Sequence, residues 1–269
     1  MSGAGAGCAV VTGGTFGIGR AIALGLARRG WPVVAFGLEA RQVSSVAGDG
    51  VAGLRDELGA GSEALEADVS DEADVARVVD IALSRFGRIG ALVNNAAIGP
   101  LGTVLDTDPA LFDRILAVNL RGPYLCCRAA IPRMAAAGGG AVVNIGSGAG
   151  WGKPNMAAYA ASKGGLHALS QALAYDHFHD RVRVNTVIPG GGGIVSGMSL
   201  GRVGGDPARL GKGAPGTAAG RPATGEDVAA AVAFLVSPEA AAISGTVLDV
   251  GCFAQQGGPV PPRPEGPRA

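Results

Sequence analysis

The sequence predicts an α/β fold: a doubly wound parallel sheet of seven strands with helices on both faces, in one domain over residues 1–255. Three observations carry this. Short apolar runs alternate with stretches of helical periodicity six times along the chain, as expected for strands buried on both faces and joined by crossover helices. The first such run ends in a glycine-rich turn that opens directly into a helix. Hydrophobic residues make up 48% of the 269 and charged ones 16%, enough for one large core, and no internal linker divides the chain.

In order, CAVVTG (8–13) reads as a buried strand and Gly17–Arg29 as a helix with Ile18, Ala21, Ile22 and Leu26 on one face. PVVAFG (32–37) is the second strand. Arg41–Leu58 has helical periodicity, interrupted at the turn-like Gly48-Asp49-Gly50. EALEA (63–67) is a short strand, and the following helix, Asp71–Phe86, starts on capping signals at Ser70, Asp71 and Glu72. ALVNN (91–95) is the fourth strand. Asp113–Ala137 is mostly helical, although Gly122-Pro123 and Pro132 interrupt it. AVVNIG (141–146), the long helix Ala157–His179 and RVRVNTV (181–187) follow. Glu226–Leu235 is a last helix and TVLDV (246–250) a last strand. The Pro-rich tail, residues 256–269, reads as extended or disordered.

Composition excludes several function classes. Lys+Arg and Asp+Glu both total 22, and no basic run is present, so nucleic acid is not an expected partner. No apolar stretch approaches the ~18–20 residues of a membrane span. The N-terminal MSGAGAGCAVV lacks the basic segment and apolar run of a signal peptide, so a cytoplasmic protein is expected. Cys8, Cys126, Cys127 and Cys252 form no metal or disulfide spacing, and His167, His177 and His179 no metal constellation; no metal is expected.

Glycine is the outlier: 47 of 269 residues, about 17%, against ~7% ordinarily. It concentrates at 3–19, 138–152 and 190–220. The first cluster, Thr12-Gly13-Gly14-Thr15-Phe16-Gly17-Ile18-Gly19, joins the first strand to the first helix. Glycine permits the sharp turn and the close approach of a ligand, and the helix N-terminus offers unpaired N–H groups to a pyrophosphate. Tyr159 and Lys163 are four apart on a helix and share one face. A free phenol has a pKa near ~10, and an ammonium one turn away would favour the phenolate and make acid–base transfer workable. Lysine is scarce, occurring only at 153, 163 and 212. Ser147 ends a strand at the carboxyl edge of the predicted sheet, where ligands bind in such folds.

With TGGTFGIG at 12–19, Asp68-Val69, Asn94-Asn95-Ala96, Asn119, Ser147, Tyr159-Ala160-Ala161-Ser162-Lys163 and Pro189-Gly190 in this order, the chain resembles the short-chain dehydrogenase/reductase family from about Ala9 to Val250. The resemblance implies a Rossmann-like fold, NAD or NADP as cofactor, oxidation of a secondary alcohol or reduction of a ketone, and a homotetramer or dimer. It implies that Tyr159 carries the proton, Ser147 polarises the substrate oxygen, Lys163 also bonds the nicotinamide ribose, and Asn119 holds a water of the proton relay. By the same resemblance the cofactor is held by Gly13, Thr15, Phe16, Gly17, Ile18 and Gly19, by Gly37 and Leu38 after the second strand, and by Asp68 and Val69. Asn95, Ala96, Pro189, Gly190, Ile194 and Ser196 complete that set.

The choice between NAD and NADP stays open, because Gly37 and Leu38 stand where an acidic residue or an arginine would decide it; Glu39 favours NAD and Arg41 NADP. Trp151, Asn155 and Met156 are expected to line the substrate wall. Residues 195–220 are expected to form a mobile substrate loop. Alternatives of another kind are a dehydratase or epimerase of the family and a non-catalytic dinucleotide-sensing regulator.

Overall fold

The computed structural model describes residues 7–39, 50–190, 194, 196–202, 206, 209–210 and 216–252. Residues 41–49 of the expected second helix, Arg41 included, and the Pro-rich tail lie outside the described residues.

Seven strands form one sheet in the order β3-β2-β1-β4-β5-β6-β7. They are β1 (Cys8–Thr12), β2 (Val33–Gly37), β3 (Glu63–Glu66), β4 (Ile89–Asn94), β5 (Gly140–Ile145), β6 (Val182–Ile188) and β7 (Val247–Asp249). Every neighbouring pair is parallel. In β1 all five residues are buried, because helices cover both faces. On one face α1 (Gly17–Ala27), α2 (Gly50–Leu58) and α8 (Gly225–Val236) pack Ile22, Leu26, Leu54, Val228 and Val232 against Val11, Val93 and Val143. On the other, α3 (Glu72–Phe86), α5 (Gly122–Ala136) and α6 (Ala157–Asp176) cover Val10, Leu92 and Val142. Among the described residues the two remaining helices are α4 (Pro109–Leu116) and the short α7 (Gly197–Arg202).

The helix starts follow local chemistry. Asp71 caps α3 by accepting from the Ala73 and Asp74 amides, whereas Ser70 bonds Asp68 instead. Asp108 caps α4, and Thr224 with Asp227 closes a capping box on α8. The expected helix 113–137 starts earlier, at Pro109, and is broken differently than its prolines suggested. Between α4 and α5 the segment Ala117–Arg121 is a π-turn in which the Gly122 amide reaches back to the Ala117 carbonyl. Pro123 has no N–H, so the α-helical donor to the Asn119 carbonyl is missing. Pro132 stays inside α5.

Chain order runs outward in one direction from β1 and in the other from β4. The crevice between their carboxyl ends is therefore where such a sheet binds ligands.

Candidate active site

A cleft of about 870 Å³ opens at that crevice. One side of it is the turn after β1. Gly13 and Gly17 sit at φ +61° and +56°, the left-handed region that glycine enters without strain. A Cβ on Gly13 would stand 2.8 Å from the Ala96 Cα, and one on Gly19 would meet the Gly13 carbonyl. Gly19 therefore closes the turn and does not itself line the cleft, whereas Phe16, Gly17 and Ile18 do. Phe16 occupies the N-cap position of α1 and makes no cap hydrogen bond, although α3, α4 and α8 all have side-chain caps. The first-turn amides of α1 are thus left for an anionic group in the cleft, and the residues present fit a dinucleotide pyrophosphate.

The loop after β4 is tied to that turn. The Thr12 hydroxyl oxygen accepts the Asn95 and Ala96 amides at 3.0 and 2.9 Å, and the Asn95 side chain donates to the Thr12 and Gly13 carbonyls, both at 3.1 Å. Asn95 is thereby a clamp as well as a cleft residue. Thr15 donates to the Leu38 carbonyl at 3.1 Å, and a Cβ on Gly37 would meet the Thr15 hydroxyl at 2.9 Å, which explains the glycine there. The Glu39 carboxylate lies over Gly50 at the start of α2.

Asp68 and Val69 line the cleft beyond β3. Burial alone would raise the Asp68 carboxyl, but hydrogen bonds from the Ser70 hydroxyl and amide and from Arg114, the last at 2.9 Å, hold it below the usual range. Arg114, from α4, reaches the cleft too and was not foreseen in the sequence.

The cleft floor is made by α6 and the end of β5. Tyr159 is 7% and Lys163 2% exposed, and both line the cleft. The Lys163 Nζ lies 5.9 Å from the centre of the Tyr159 ring and donates to the Ile145 carbonyl at 2.8 Å. Burial lowers the Lys163 ammonium to a pKa of about 8. Ser147 caps a 3₁₀ turn, Gly148–Trp151, its hydroxyl oxygen accepting the Ala149 amide at 3.1 Å. That bond uses an oxygen lone pair and leaves the O–H to donate into the cleft.

Asn119 is fully buried in the π-turn and does not line the cleft. Its side-chain oxygen accepts the Ile98 amide at 2.9 Å, while its nitrogen donates to the Ile98 carbonyl at 2.8 Å and the Ser162 hydroxyl at 3.0 Å. The side chain is spent on structure, and only its backbone carbonyl lacks an α-helical donor.

Of the three expected wall residues, Met156 lines the cleft. Trp151 instead stacks on His167, its ring centre 4.4 Å away. Asn155 sits at φ +57° and uses its carbonyl to accept the Gly102 amide at 2.8 Å. Pro189, Gly190, Ile194 and Ser196 line the cleft beyond β6. A Cβ on Gly190 would collide with Gly251 after β7, so its glycine answers a backbone crossing. The expected loop at 195–220 contains a helix, α7, started by Ser196 and Ser199, each of which accepts the other's amide. Met198 on α7 faces Gly99 across the cleft: a Cβ there would stand 2.9 Å from the Met198 sulfur and 2.7 Å from the Tyr159 ring. Residues 195, 203–205, 207–208 and 211–215 of that loop lie outside the described residues.

A family model described as enoyl-(acyl carrier protein) reductase, of the short-chain dehydrogenase type, matches residues 13–252. The chain belongs to the short-chain dehydrogenase/reductase family. It is 38% identical over 260 residues to 2-(S)-hydroxypropyl-CoM dehydrogenase 3 of Xanthobacter autotrophicus, covering 92% of this chain and 94% of the relative. It is likewise 38% identical over 248 residues to cis-4-hydroxycyclohexanecarboxylate dehydrogenase of Sinomonas cyclohexanicum, covering 90% and 94%. Among solved structures, a 3-ketoacyl-(acyl-carrier-protein) reductase from Brucella melitensis complexed with NADH superposes with a TM-score of 0.77 at 31% identity, covering 93% of this chain and 98% of that one. This short-chain dehydrogenase/reductase is an NAD(P)-dependent oxidoreductase. No helix among its described residues is long and apolar enough to cross a membrane.

Proposed function

We propose that this enzyme interconverts a secondary alcohol and its ketone, with Tyr159 as the general acid/base. The nicotinamide dinucleotide, when bound, supplies or accepts the hydride. The α1 N-terminus and Gly13, Gly17 and Ile18 receive its pyrophosphate, and Asp68 and Val69 flank its adenine end. In reduction the Ser147 hydroxyl donates to the substrate oxygen, one of its lone pairs being occupied by the Ala149 amide. The Tyr159 hydroxyl then gives its proton to that oxygen, and oxidation reverses the transfer. Lys163 spends one N–H on Ile145, which leaves two donors of its ammonium toward the cleft to favour the Tyr159 phenolate and to hold a ribose. The Asn119 backbone carbonyl holds the water through which Tyr159 regains its proton.

The observation that carries this reading is the convergence of Ser147, Tyr159 and Lys163 on the floor of one cleft whose other end is the uncapped α1. Tyr159→Phe is expected to abolish hydride transfer while dinucleotide affinity persists; near-normal turnover refutes the assignment. A screen of secondary alcohols and ketones with NAD and NADP, followed by absorbance of the reduced nicotinamide, assigns both the substrate and the cofactor form. Retention of Tyr159, Lys163 and Ser147 together disfavours a non-catalytic sensor.

The named relatives are dehydrogenases of 2-(S)-hydroxypropyl-CoM and of cis-4-hydroxycyclohexanecarboxylate. The apolar wall of Leu101, Met156 and Met198 suits the hydrocarbon part of such an alcohol. The loop at 195–220 serves as the substrate loop of a single catalytic domain, 1–255, and its cleavage by protease should slow when cofactor and substrate bind. The enzyme works as a cytoplasmic homo-oligomer, which sedimentation of the purified protein tests.

A further inference from the structure

His167 is absent from every motif read in the sequence, yet it lies directly beneath the turn that carries Ser147. Tyr159, Lys163 and His167 follow one another at four-residue spacing on α6 and share its cleft-side face. The imidazole is 8% exposed. Its Nε2 accepts the Ser147 amide in a long hydrogen bond of 3.5 Å. The Trp151 ring covers it with centroids 4.4 Å apart and planes 38° apart.

The turn is shaped around this ring. A Cβ on Gly146 would stand 2.6 Å from Nε2, and one on Gly150 would stand 2.6 Å from Cε1 and 2.9 Å from Nδ1. A Cβ on Gly164, one helical turn or so before His167's contact, would meet the Gly150 carbonyl at 2.9 Å. Two glycines of the second glycine cluster are thus spaces that the imidazole fills.

We propose that His167 is a positioning residue for Ser147: as a neutral imidazole wedged under residues 146–151, it fixes the Ser147 backbone and so the direction of the Ser147 O–H. The inference rests on the reading of Ser147 as the group that polarises the substrate oxygen. An accepting Nε2 requires the proton on Nδ1, because an imidazolium has no lone pair to offer. The surroundings keep the ring in that form. Burial, and after it the positive charge of Lys163, lowers the His167 pKa to about 4. The Gly150 amide holds the Ser147 carbonyl at 3.0 Å and the Gly146 amide is fixed on the Val187 carbonyl at 2.8 Å, so the ring supplies what these leave unmet: a partner for the Ser147 amide and a support beneath a turn whose Gly146, Gly148 and Gly150 resist bending little.

The test compares His167→Leu, His167→Gln, Ser147→Ala and the double variant His167→Leu/Ser147→Ala. The readouts are kcat and KM for reduction of whichever ketone the screen selects, and dinucleotide affinity by fluorescence titration. His167→Leu should lower kcat by roughly 10- to 100-fold, as misplacement of a reacting group does, with dinucleotide affinity unchanged within about twofold. The double variant should lose no more than Ser147→Ala, since both changes remove the same interaction. His167→Gln, whose amide oxygen reaches the Nε2 position, should recover most of the rate. If His167→Leu does not fold, Gly150→Ala displaces the ring from the other side and should give the same selective loss of kcat.

Loss in Ser147→Ala with none in His167→Leu or Gly150→Ala overturns the inference and leaves the reading of Ser147 standing. Multiplicative losses in the double variant, or equal impairment of the Gln and Leu variants, also overturn it. Full activity of Ser147→Ala overturns both.

Discussion

Lys163→Met should make the protein more stable and catalytically inactive at once. The lysine is 2% exposed and donates to the neutral Ile145 carbonyl, so its charge is held in the interior without a carboxylate contact among the described residues. From 10.5 in solution to about 8 in the fold, at 1.36 kcal/mol per pH unit, keeping the proton on Lys163 at pH 7 costs about 3 kcal/mol. A methionine of similar length removes that cost and strands the Ile145 carbonyl, a loss of about 1 kcal/mol. The net gain is about 2 kcal/mol, or roughly 4–8 °C in Tm for a domain near this size. The sign can be followed with pH. Between about 8 and 10.5 the unfolded chain holds more protons than the folded one, so wild-type stability gains on the variant's as pH rises through that window. Below it, both states are protonated and the gap is constant. Denaturant or thermal unfolding of both apo proteins at pH 7 and at pH 9.5, at one protein concentration, measures the gap and its narrowing; other titrating groups cancel in the difference. A variant less stable than wild type at pH 7, or a gap that does not narrow, would refute the account of Lys163 as a charge retained for chemistry against stability.

Gly13→Ala should weaken dinucleotide binding and destabilise the fold together, since its Cβ would press on Ala96 within 2.8 Å at a φ of +61°; calorimetric titration against the wild type checks it. Thr224→Ala should cost about 1 kcal/mol by opening the capping box of α8, with kcat unchanged, as the box lies on the helix facing away from the catalytic floor. Burial pushes the thiols of Cys8 and Cys127 up to about 12 and that of Cys126 up as well, so stability should fall as pH rises from 9, where unfolded thiols ionise, toward 12. At the acid end His167 works in the opposite sense: stability should fall as pH drops from 6.5 toward 4, and His167→Gln should flatten that limb of a pH-dependent melt.

The sheet and the ends of the cleft were legible because they rest on local pattern. Cys8–Val11 is apolar without interruption because both faces of its strand are covered, and Tyr159 and Lys163 share a face by spacing alone. What was not legible depends on which distant segments meet. Nothing near His167 says that the Ser147 turn, 20 positions earlier, will lie over it. Nothing near Gly190 announces Gly251, and the Asn94–Asn144 bond at 2.8 Å requires β4 and β5 to be in register. The π-turn at 117–121 was hidden for another reason. Gly122-Pro123 signalled a break in the helix, but the chain absorbs the missing N–H by one wider turn and continues. Trp151 and Asn155 were placed by proximity in sequence to Tyr159; stacking on His167 and the bridge to Gly102 took them elsewhere.

The tie between Thr12 and Asn95 also sets a timetable. The two residues are 83 positions apart, and β1 is sandwiched between β2 and β4, so its second edge has no partner until the chain has been made through Asn94. At a synthesis rate of about 5–20 residues per second, that edge waits roughly 4–17 s on the ribosome. Such non-local parallel pairing is intrinsically slow, and the strand left waiting is apolar from Cys8 to Val11. The nascent chain is therefore most exposed to misassociation during the interval before β4 emerges, and the glycine turn after β1 lacks its tie to Asn95 for the same interval.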